Sequence, residues 1–375
     1  MSKEKVIGID ARFYGSKNRG LGRYTTKLIK GLEKIDKRNK YFIYLTKENF
    51  DLYKPRNKNF KKKLLNIRWY SWKEQLILPF LIDWKKLDFI HFPHFNVPLL
   101  TFKPFIVTIH DLILLKYPTR KATTLNRFYY FFKMRAYKLI LWRTIISSAQ
   151  IISVSKFTKT EILKYFRIKS SKAEIIYEAC LDSPKSWAEL KKFRLKSSSS
   201  QKLLYVGAAY PHKNLKRLLL VFKNLKKRYK ELELLIVGGD GYFFKEIKNF
   251  VKIKKMQGVV FLGHVENEKE LRKIYKKADI FVFPSLYEGF GLPPLEAMRE
   301  GLPVVSSNAG SIKEILKDGA YYFDPVDRED MERKIKRVLS SESLRRSLIK
   351  KGYLRVQKFS WQKMAKQTFK LYSKM

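Results

Sequence analysis

A short apolar segment followed by a glycine- and proline-rich turn constrains the fold of this chain more than any other feature. Ile280–Phe283 has the composition of a strand buried on both faces, as in a parallel sheet. The turn after it contains Gly289 and Gly291, and Pro294 suits the first turn of a helix that Gly301 ends after about two turns. Such a junction of strand, loop and helix N-terminus points N–H groups outward and binds anions, above all phosphate.

Two glutamates flank the turn. Glu288 precedes the glycines and could accept hydrogen bonds from a neutral polyol, while Glu296 in the helix could bind a ribose diol. Each also has a structural interpretation, because Glu296 could complement the helix dipole and Glu288 could be a solvated loop residue.

Alternation of apolar strands with amphipathic helices occurs in both halves of the chain and predicts an α/β fold. It begins at Val6–Asp10 and starts again at Leu203–Val206. Between these, Asp182–Gln201 loses periodicity and contains four consecutive serines, Ser197–Ser200, so we place a domain boundary there. The prediction is two Rossmann-like β/α/β domains, residues 1–196 and 197–355, followed by a basic helical tail, residues 356–375, with Phe359 and Trp361 as anchors.

Charge narrows the choice of partners. The 375 residues include 80 Lys and Arg against 34 Asp and Glu, a formal net charge of +46, which favours a polyanion or an anionic surface. The lysines are spread along the whole chain and no nucleic-acid-binding module is recognised, so nucleic acid is not an expected partner. An anionic membrane surface is expected, with compositional bias as the alternative.

Two aromatic and basic segments are candidates for membrane contact. Arg127–Arg143 has the composition of a helix lying on an anionic membrane, or of a helix packed beside a sheet. Tyr53–Lys86 has either an interfacial role or forms a core helix pair with snorkelling lysines.

Location is predicted from three further features. Cys180 is the single cysteine, which suits a reducing compartment, and the chain starts directly with a strand instead of a signal peptide. Its apolar runs are far shorter than the roughly 20 residues that a spanning helix needs. We therefore expect a cytoplasmic protein that attaches peripherally to the inner face of the membrane.

Three further groups of residues have positions that suit ligand binding. His110 ends the strand that starts at Phe105, at the edge where open α/β sheets bind ligands. Lys213 lies beside a helix N-terminus, where a cation could neutralise a departing diphosphate, and Asn214 is expected to cap that helix. Gly20 and Gly22 belong to a glycine-punctuated loop, which could equally be an ordinary turn before a helix.

The turn resembles the signature of the retaining glycosyltransferases of family 4. The matching residues are Glu288, Gly289, Phe290, Gly291, Pro293, Leu295, Glu296 and Ala297. The resemblance implies two Rossmann-like domains facing across a cleft, the GT-B fold, with the C-terminal helix crossing back to the first domain. It also implies retention of anomeric configuration and no obligatory metal, and no Asp-x-Asp sequence or His/Cys cluster is present to hold one.

The resemblance also implies roles for individual residues. Glu288 would hold the donor sugar, His110 would reach that sugar near the reacting centre, and Lys213 would hold the diphosphate. Glu296 would bind the ribose. The donor-binding residues that it implies are Gly20, Gly22, Gly207, His212, Gly239, Gly289, Phe290, Gly291, Leu292 and Glu296.

One residue departs from the family pattern. Ala208 stands where the family usually has an arginine that helps the lysine. His212, or a basic residue from the other domain such as Arg12 or Arg23, would have to substitute.

Three strings, TIHDL, YVGAAYPHKN and FPSLYEGFGLPPLEAM, look most like the mannosyltransferase-like branch that acts in O-antigen and capsule synthesis. The resemblance therefore implies a nucleotide-sugar donor, GDP-mannose first and UDP-glucose or another UDP-sugar second, and a glycan or lipid-linked acceptor. It implies no cofactor. A non-catalytic protein that binds sugar nucleotides or polyanions and keeps the fold is the alternative, which the missing arginine favours.

Overall fold

The computed structural model describes residues 3–16, 19–119, 127–180, 201–239, 241–265 and 267–375. It forms two compact units. The first contains the described residues of Met1–Leu115, Leu125–Glu178 and Trp361–Met375, and the second those of Lys116–Thr124 and Ala179–Ser360. The predicted domain boundary between residues 196 and 197 lies outside the described residues and stays a prediction.

The first unit contains a seven-stranded parallel sheet in the order β3-β2-β1-β4-β5-β6-β7. Its strands are β1 Val6–Asp10, β2 Lys40–Leu45, β3 Phe60–Leu64, β4 Phe89–Phe92, β5 Phe105–Ile109, β6 Gln150–Ser153 and β7 Ala173–Ile175. The helices that precede β7 in the chain are α1 Arg19–Ile35, α2 Trp72–Leu76, α3 Leu78–Leu81, α4 Ile113–Lys116, α5 Arg127–Ser147 and α6 Lys156–Phe166. Every residue of strands β4 and β5 is buried, and apart from His91 and Thr108 these residues are apolar.

Strand β3 was not expected from the sequence. It lies within Tyr53–Lys86, where an interfacial role or a core helix pair was considered; the two helices that form there, α2 and α3, are short and are followed by a 3-10 turn. The three lysines of Phe60–Leu64 hide its strand character. They are tolerated because β3 is the edge strand of the sheet, where charged side chains also discourage pairing with other chains.

The second unit contains a six-stranded parallel sheet in the order β10-β9-β8-β11-β12-β13. Its strands are β8 Lys202–Val206, β9 Glu233–Val237, β10 Val259–Gly263, β11 Ile280–Phe283, β12 Val304–Ser307 and β13 Ala320–Phe323. Its helices are α7 Leu215–Arg228, α8 Tyr242–Ile253, α9 Glu268–Lys277, α10 Leu292–Arg299, α11 Ile312–Leu316, α12 Arg328–Ser340 and α13 Glu342–Val356. The strand order reverses between β8 and β11, and ligands of open α/β sheets bind beside such a reversal, at the carboxyl ends of the strands.

The last helix, α14 Trp361–Ser373, belongs to the first unit, as predicted. It packs against α1 so closely that a Cβ added at Gly31 would lie 2.4 Å from the Cβ of Ala365. The hydroxyl of Tyr372 lies 2.5 Å from Nδ1 of His91 in β4, and Nε2 of His91 lies 2.9 Å from the hydroxyl of Thr108. Burial, helped by the charge of His110, lowers the pKa of His91 to about 3, so His91 is neutral at pH 7.

Candidate active site

Two of the predicted catalytic residues meet at the strand-order reversal of the second sheet. After β8 the chain passes through a 3-10 turn, Pro211–Lys213, before α7 begins, and after β11 it reaches Glu288. Nζ of Lys213 lies 2.7 Å from Oε1 of Glu288, and their side chains are 18% and 9% exposed. Because β8 and β11 are neighbours, their loops place a cation and a carboxylate together at the edge where this fold class binds ligands.

Asn214 fixes the turn that carries Lys213, although not in the way predicted. It has left-handed backbone angles, φ 60° and ψ 25°, and its side chain does not cap α7. Instead, its amide donates hydrogen bonds to the carbonyl oxygens of Pro284 (3.0 Å) and Pro325 (2.8 Å). The N–H of Leu286 also donates to the carbonyl of His212 at 2.7 Å. The turn is therefore held against the loop that follows β11.

Glycines form the neighbouring strand ends. The N–H of Gly207 donates to the carbonyl of Val237, and the N–H of Gly238 donates to the carbonyl of Gly263. A Cβ at Gly238 would lie 2.0 Å from a ring carbon of Phe244 and 2.4 Å from the carbonyl oxygen of Gly207, so only glycine fits there. Gly239 follows at the same edge.

The loop before α10 is also held in place, by its glycine and by hydrogen bonds from Ser311. Gly291 precedes α10 with φ +92°, a backbone conformation that favours glycine. The hydroxyl of Ser311 donates to the carbonyls of Glu288 (3.0 Å) and Phe290 (3.2 Å). The Phe290 ring is buried against Phe359, with 5.6 Å between centroids, so only its backbone can face a ligand. Leu292 is the first residue of α10 and Gly289 is buried.

Glu296 lies within α10 and is 5% exposed, and its carboxylate accepts a hydrogen bond of 3.0 Å from the Tyr275 hydroxyl. Tyr275 belongs to α9, and nothing in the sequence pattern indicated this contact. The hydrogen bond orients the carboxylate.

Two of the three predicted substitutes for the missing arginine at Ala208, His212 and Arg12, are engaged in other ways, and the third, Arg23, stays a prediction. Burial, together with the charge of Lys213, lowers the pKa of His212 to about 3, so His212 is a neutral hydrogen-bonding group at pH 7. Arg12 is buried in the first unit, where Nη2 pairs with Asp10 at 2.7 Å and with Glu74 at 2.6 Å. Lys213 is the cation that the second unit places beside Glu288.

His110 follows β5 in the first unit and is fully engaged. Its Nδ1 lies 2.6 Å from Oε1 of Glu178 and its Nε2 lies 2.9 Å from the carbonyl oxygen of Pro93. Both oxygens can accept hydrogen bonds, so the doubly protonated imidazolium is the form of His110 that satisfies both contacts. Burial lowers the pKa of His110, but the hydrogen bond and charge of Glu178 outweigh it, and the net pKa lies above the ordinary value.

Sequence reasoning missed Glu178. Its signal is its position shortly after β7, because the carboxyl ends of parallel strands meet at one edge of the sheet. The reasoning also misplaced Gly20 and Gly22, which lie in the first turn of α1 instead of in a loop. Among the residues that the structure describes, no group of three or more His, Cys, Asp and Glu side chains could hold a metal ion.

Comparison with known proteins identifies the family. Residues 18–179 match the sequence model of Glycosyltransferase Family 4, and residues 188–355 match that of Glycosyl transferases group 1. Over 83% of its length the chain is 30% identical to O-antigen chain mannosyltransferase B of Escherichia coli, of which the match covers 78%. The chain belongs to glycosyltransferase family 4.

Two further comparisons place this family 4 glycosyltransferase among known proteins. It is 28% identical to the O-antigen chain mannosyltransferase RfbU of Salmonella typhimurium, over 74% of this chain and 72% of RfbU. The structure of Anabaena HepE in complex with UDP-glucose superposes with a TM-score of 0.73 at 15% identity and covers all of both chains, a likeness that concerns the fold alone. The predicted GT-B fold and the predicted glycosyltransferase activity are confirmed.

Proposed function

We propose that this glycosyltransferase moves a mannosyl residue from GDP-mannose to a glycan or lipid-linked acceptor, with retention of anomeric configuration, in the synthesis of a cell-surface polysaccharide. The names of the two relatives support the sugar, because both are O-antigen chain mannosyltransferases. They act in the same process that the sequence motifs favour.

The observation that carries this proposal is the ion pair of Lys213 and Glu288 beside the glycine-rich turn before α10. A diphosphate entering this edge is attracted by the Lys213 ammonium and by the positive end of the α10 dipole. When Lys213 turns to the diphosphate, the Glu288 carboxylate becomes available to hydroxyl groups of the sugar. In this proposal, Glu296 binds the ribose.

The chemistry requires the bond between the anomeric carbon and the diphosphate oxygen to break, with both electrons leaving on the diphosphate. Lys213 and the fixed backbone at Gly289–Leu292 stabilise that negative charge, and pre-organised groups of this kind lower the barrier without reorganising. The oxygen of the acceptor hydroxyl forms the new bond to the anomeric carbon, and its proton passes to the departing diphosphate. In this proposal, His110 keeps the role near the donor sugar that the family resemblance implies.

A UDP-sugar is the second candidate donor. The observation in its favour is that the HepE structure of the same fold holds UDP-glucose. Because Glu296 would bind the ribose and Lys213 the diphosphate, neither residue distinguishes guanine from uracil.

A thermal-shift panel with GDP, GDP-mannose, UDP, UDP-glucose and ADP tests the donor. A ligand at 100 times its dissociation constant stabilises a protein by about 2.7 kcal/mol, so stabilisation by the GDP series is expected to be visible. The diphosphate increment should disappear in Lys213→Met, and the increment from the sugar should disappear in Glu288→Gln. Lys216→Met is the matched control, because Lys216 is an exposed lysine one turn further along, on α7.

The outcomes separate the hypotheses. Stabilisation by the UDP series alone would replace GDP-mannose with a UDP-sugar. Stabilisation by RNA or DNA, with no response to any nucleotide, would refute the proposed donor site. Retention is tested separately, from the anomeric configuration of the product by NMR.

Membrane attachment completes the proposal. No helix in the described part of the chain is long and apolar enough to cross a bilayer. We infer a cytoplasmic enzyme that attaches peripherally to the inner face of the membrane, where a lipid-linked acceptor would be found.

A further inference from the structure

Helix α5 exposes an apolar stripe to solvent. Phe128, Phe132, Leu139, Trp142 and Ile146 follow one another at intervals of three, four or seven residues, which places them on one face of the helix. Their exposed fractions are 67%, 53%, 54%, 51% and 38%. A helix on the surface of a soluble domain normally turns charged and polar residues to this face.

The stripe is not a misassigned core face, because the opposite side of α5 packs on the sheet unit. Leu141 and Ile145 are buried there. The ring of Tyr137 lies 5.2 Å from that of Phe95, and the hydroxyl of Thr144 donates to the Phe95 carbonyl at 3.1 Å. The helix is therefore apolar on two opposite faces, of which one is already used.

The charge of α5 has a single sign. The helix has five basic residues and no acidic one. Arg135 is exposed within the stripe, where its guanidinium lies 4.7 Å above the ring of Phe131, and Lys138 is exposed beside it. Aromatic and aliphatic side chains flanked by lysine and arginine are the composition that binds the interface of an anionic bilayer.

We propose that the exposed face of α5 docks this enzyme on an anionic membrane, with Phe132, Leu139 and Trp142 inserted among the lipids and the basic residues contacting the headgroups. A second copy of the chain is disfavoured as the occupant, because α5 has no acidic residue to offset the basic residues that pairing two such faces would bring together. The inference rests on the proposed function, in which the acceptor is linked to a lipid. It also identifies which surface would face the bilayer.

Co-sedimentation of the purified full chain with vesicles tests this surface. The vesicles contain phosphatidylcholine alone, or equal parts of phosphatidylcholine and phosphatidylglycerol. We expect binding to the anionic vesicles at low salt, and binding at least about tenfold weaker for the triple variant Phe132→Ser, Leu139→Ser, Trp142→Ser. The control, Ile253→Ser, Val326→Ser, Leu354→Ser, removes three exposed apolar side chains of the second unit and should bind as the wild type does.

Three results would overturn the proposal: equal binding of the triple variant and the wild type, equal binding to both kinds of vesicle, or a dimer in solution that the triple variant dissociates. The melting temperature of the triple variant shows whether it is folded. The thermal-shift panel with nucleotides needs no vesicles, so a donor response without vesicle binding refutes this inference and leaves the proposed function intact.

Discussion

At the carboxyl edge of the first sheet, charged and titratable side chains bind one another, whereas glycines and one ion pair occupy the corresponding edge of the second sheet. Arg12 is paired with Asp10 and Glu74, and His110 with Glu178. In the second unit Gly207 and Gly238 end adjacent strands, and Lys213 meets Glu288. The same parallel topology therefore serves two purposes, a pre-bonded side-chain network in one unit and an accessible backbone edge in the other.

Replacing Arg12, which lies between Asp10 and Glu74 in the first unit, should have the largest effect. Arg12→Met leaves the carboxylates of Asp10 and Glu74 buried without their cation, and we expect it to lower the free energy of unfolding by about 3–5 kcal/mol. Urea-induced unfolding measures the change. The matched control, Arg346→Met, breaks an exposed pair with Glu342 and should cost no more than about 1 kcal/mol. Similar losses of stability in both variants would show that the buried network contributes no more than an exposed ion pair does.

Replacing Lys213, the cation at the carboxyl edge of the second sheet, should lower the catalytic activity. Lys213→Met is expected to lower kcat/KM by about 10²–10³-fold, because the leaving diphosphate loses a pre-organised positive charge. Lys216→Met should keep the wild-type rate. A loss in both variants would point to the general charge of the surface instead of to the ion pair.

Adding a methyl group at Gly238, just after β9, tests how tightly the second unit is packed. Gly238→Ala would place a methyl group 2.0 Å from Phe244, and we expect the free energy of unfolding to fall by about 3 kcal/mol. Thermal and urea denaturation measure this. A stability within about 0.5 kcal/mol of the wild type would mean that the strand end rearranges at little cost.

Protonation of His91 should destabilise the first unit. His91 has a pKa of about 3 when folded and an ordinary value of 6.5 when unfolded, so its neutral form stabilises the fold fully above pH 6.5. As the pH falls from 6.5 towards 3, only the unfolded chain takes up this proton and stability is lost, by about 2 kcal/mol at pH 5. Unfolding free energies at pH 7.5 and 5 should differ less in His91→Gln. An unchanged difference would assign the pH dependence to other groups.

Alanine at Gly20 should have the smallest effect. No atom lies within 4 Å of the added Cβ, and the residue is helical, so Gly20→Ala should raise stability by up to about 1 kcal/mol. The donor-binding role predicted for Gly20 requires that activity falls in the same variant. Full activity would remove Gly20 from the site.

Many helices and strands could be predicted from local sequence patterns, such as apolar runs and capping residues. The apolar run Ile280–Phe283 forms β11, and Ser155 caps α6 by accepting a hydrogen bond from the N–H of Thr158. Strand β3 escaped prediction because its three lysines are acceptable only at a sheet edge, and edge position is a property of the assembled sheet. Asn214 was expected to cap a helix, but its partners are carbonyl oxygens 70 and 111 residues away.

The sequence by itself determined the family, the two-sheet architecture and the glycine–proline turn with its glutamates, because these depend on periodicity and on residues close together in the chain. Only the tertiary structure decided which groups pair. Glu288 with Lys213, Glu178 with His110 and Tyr275 with Glu296 are separated by 75, 68 and 21 residues. Such pairs are set by strand order and register, which bring distant segments to one edge and which no local sequence pattern encodes.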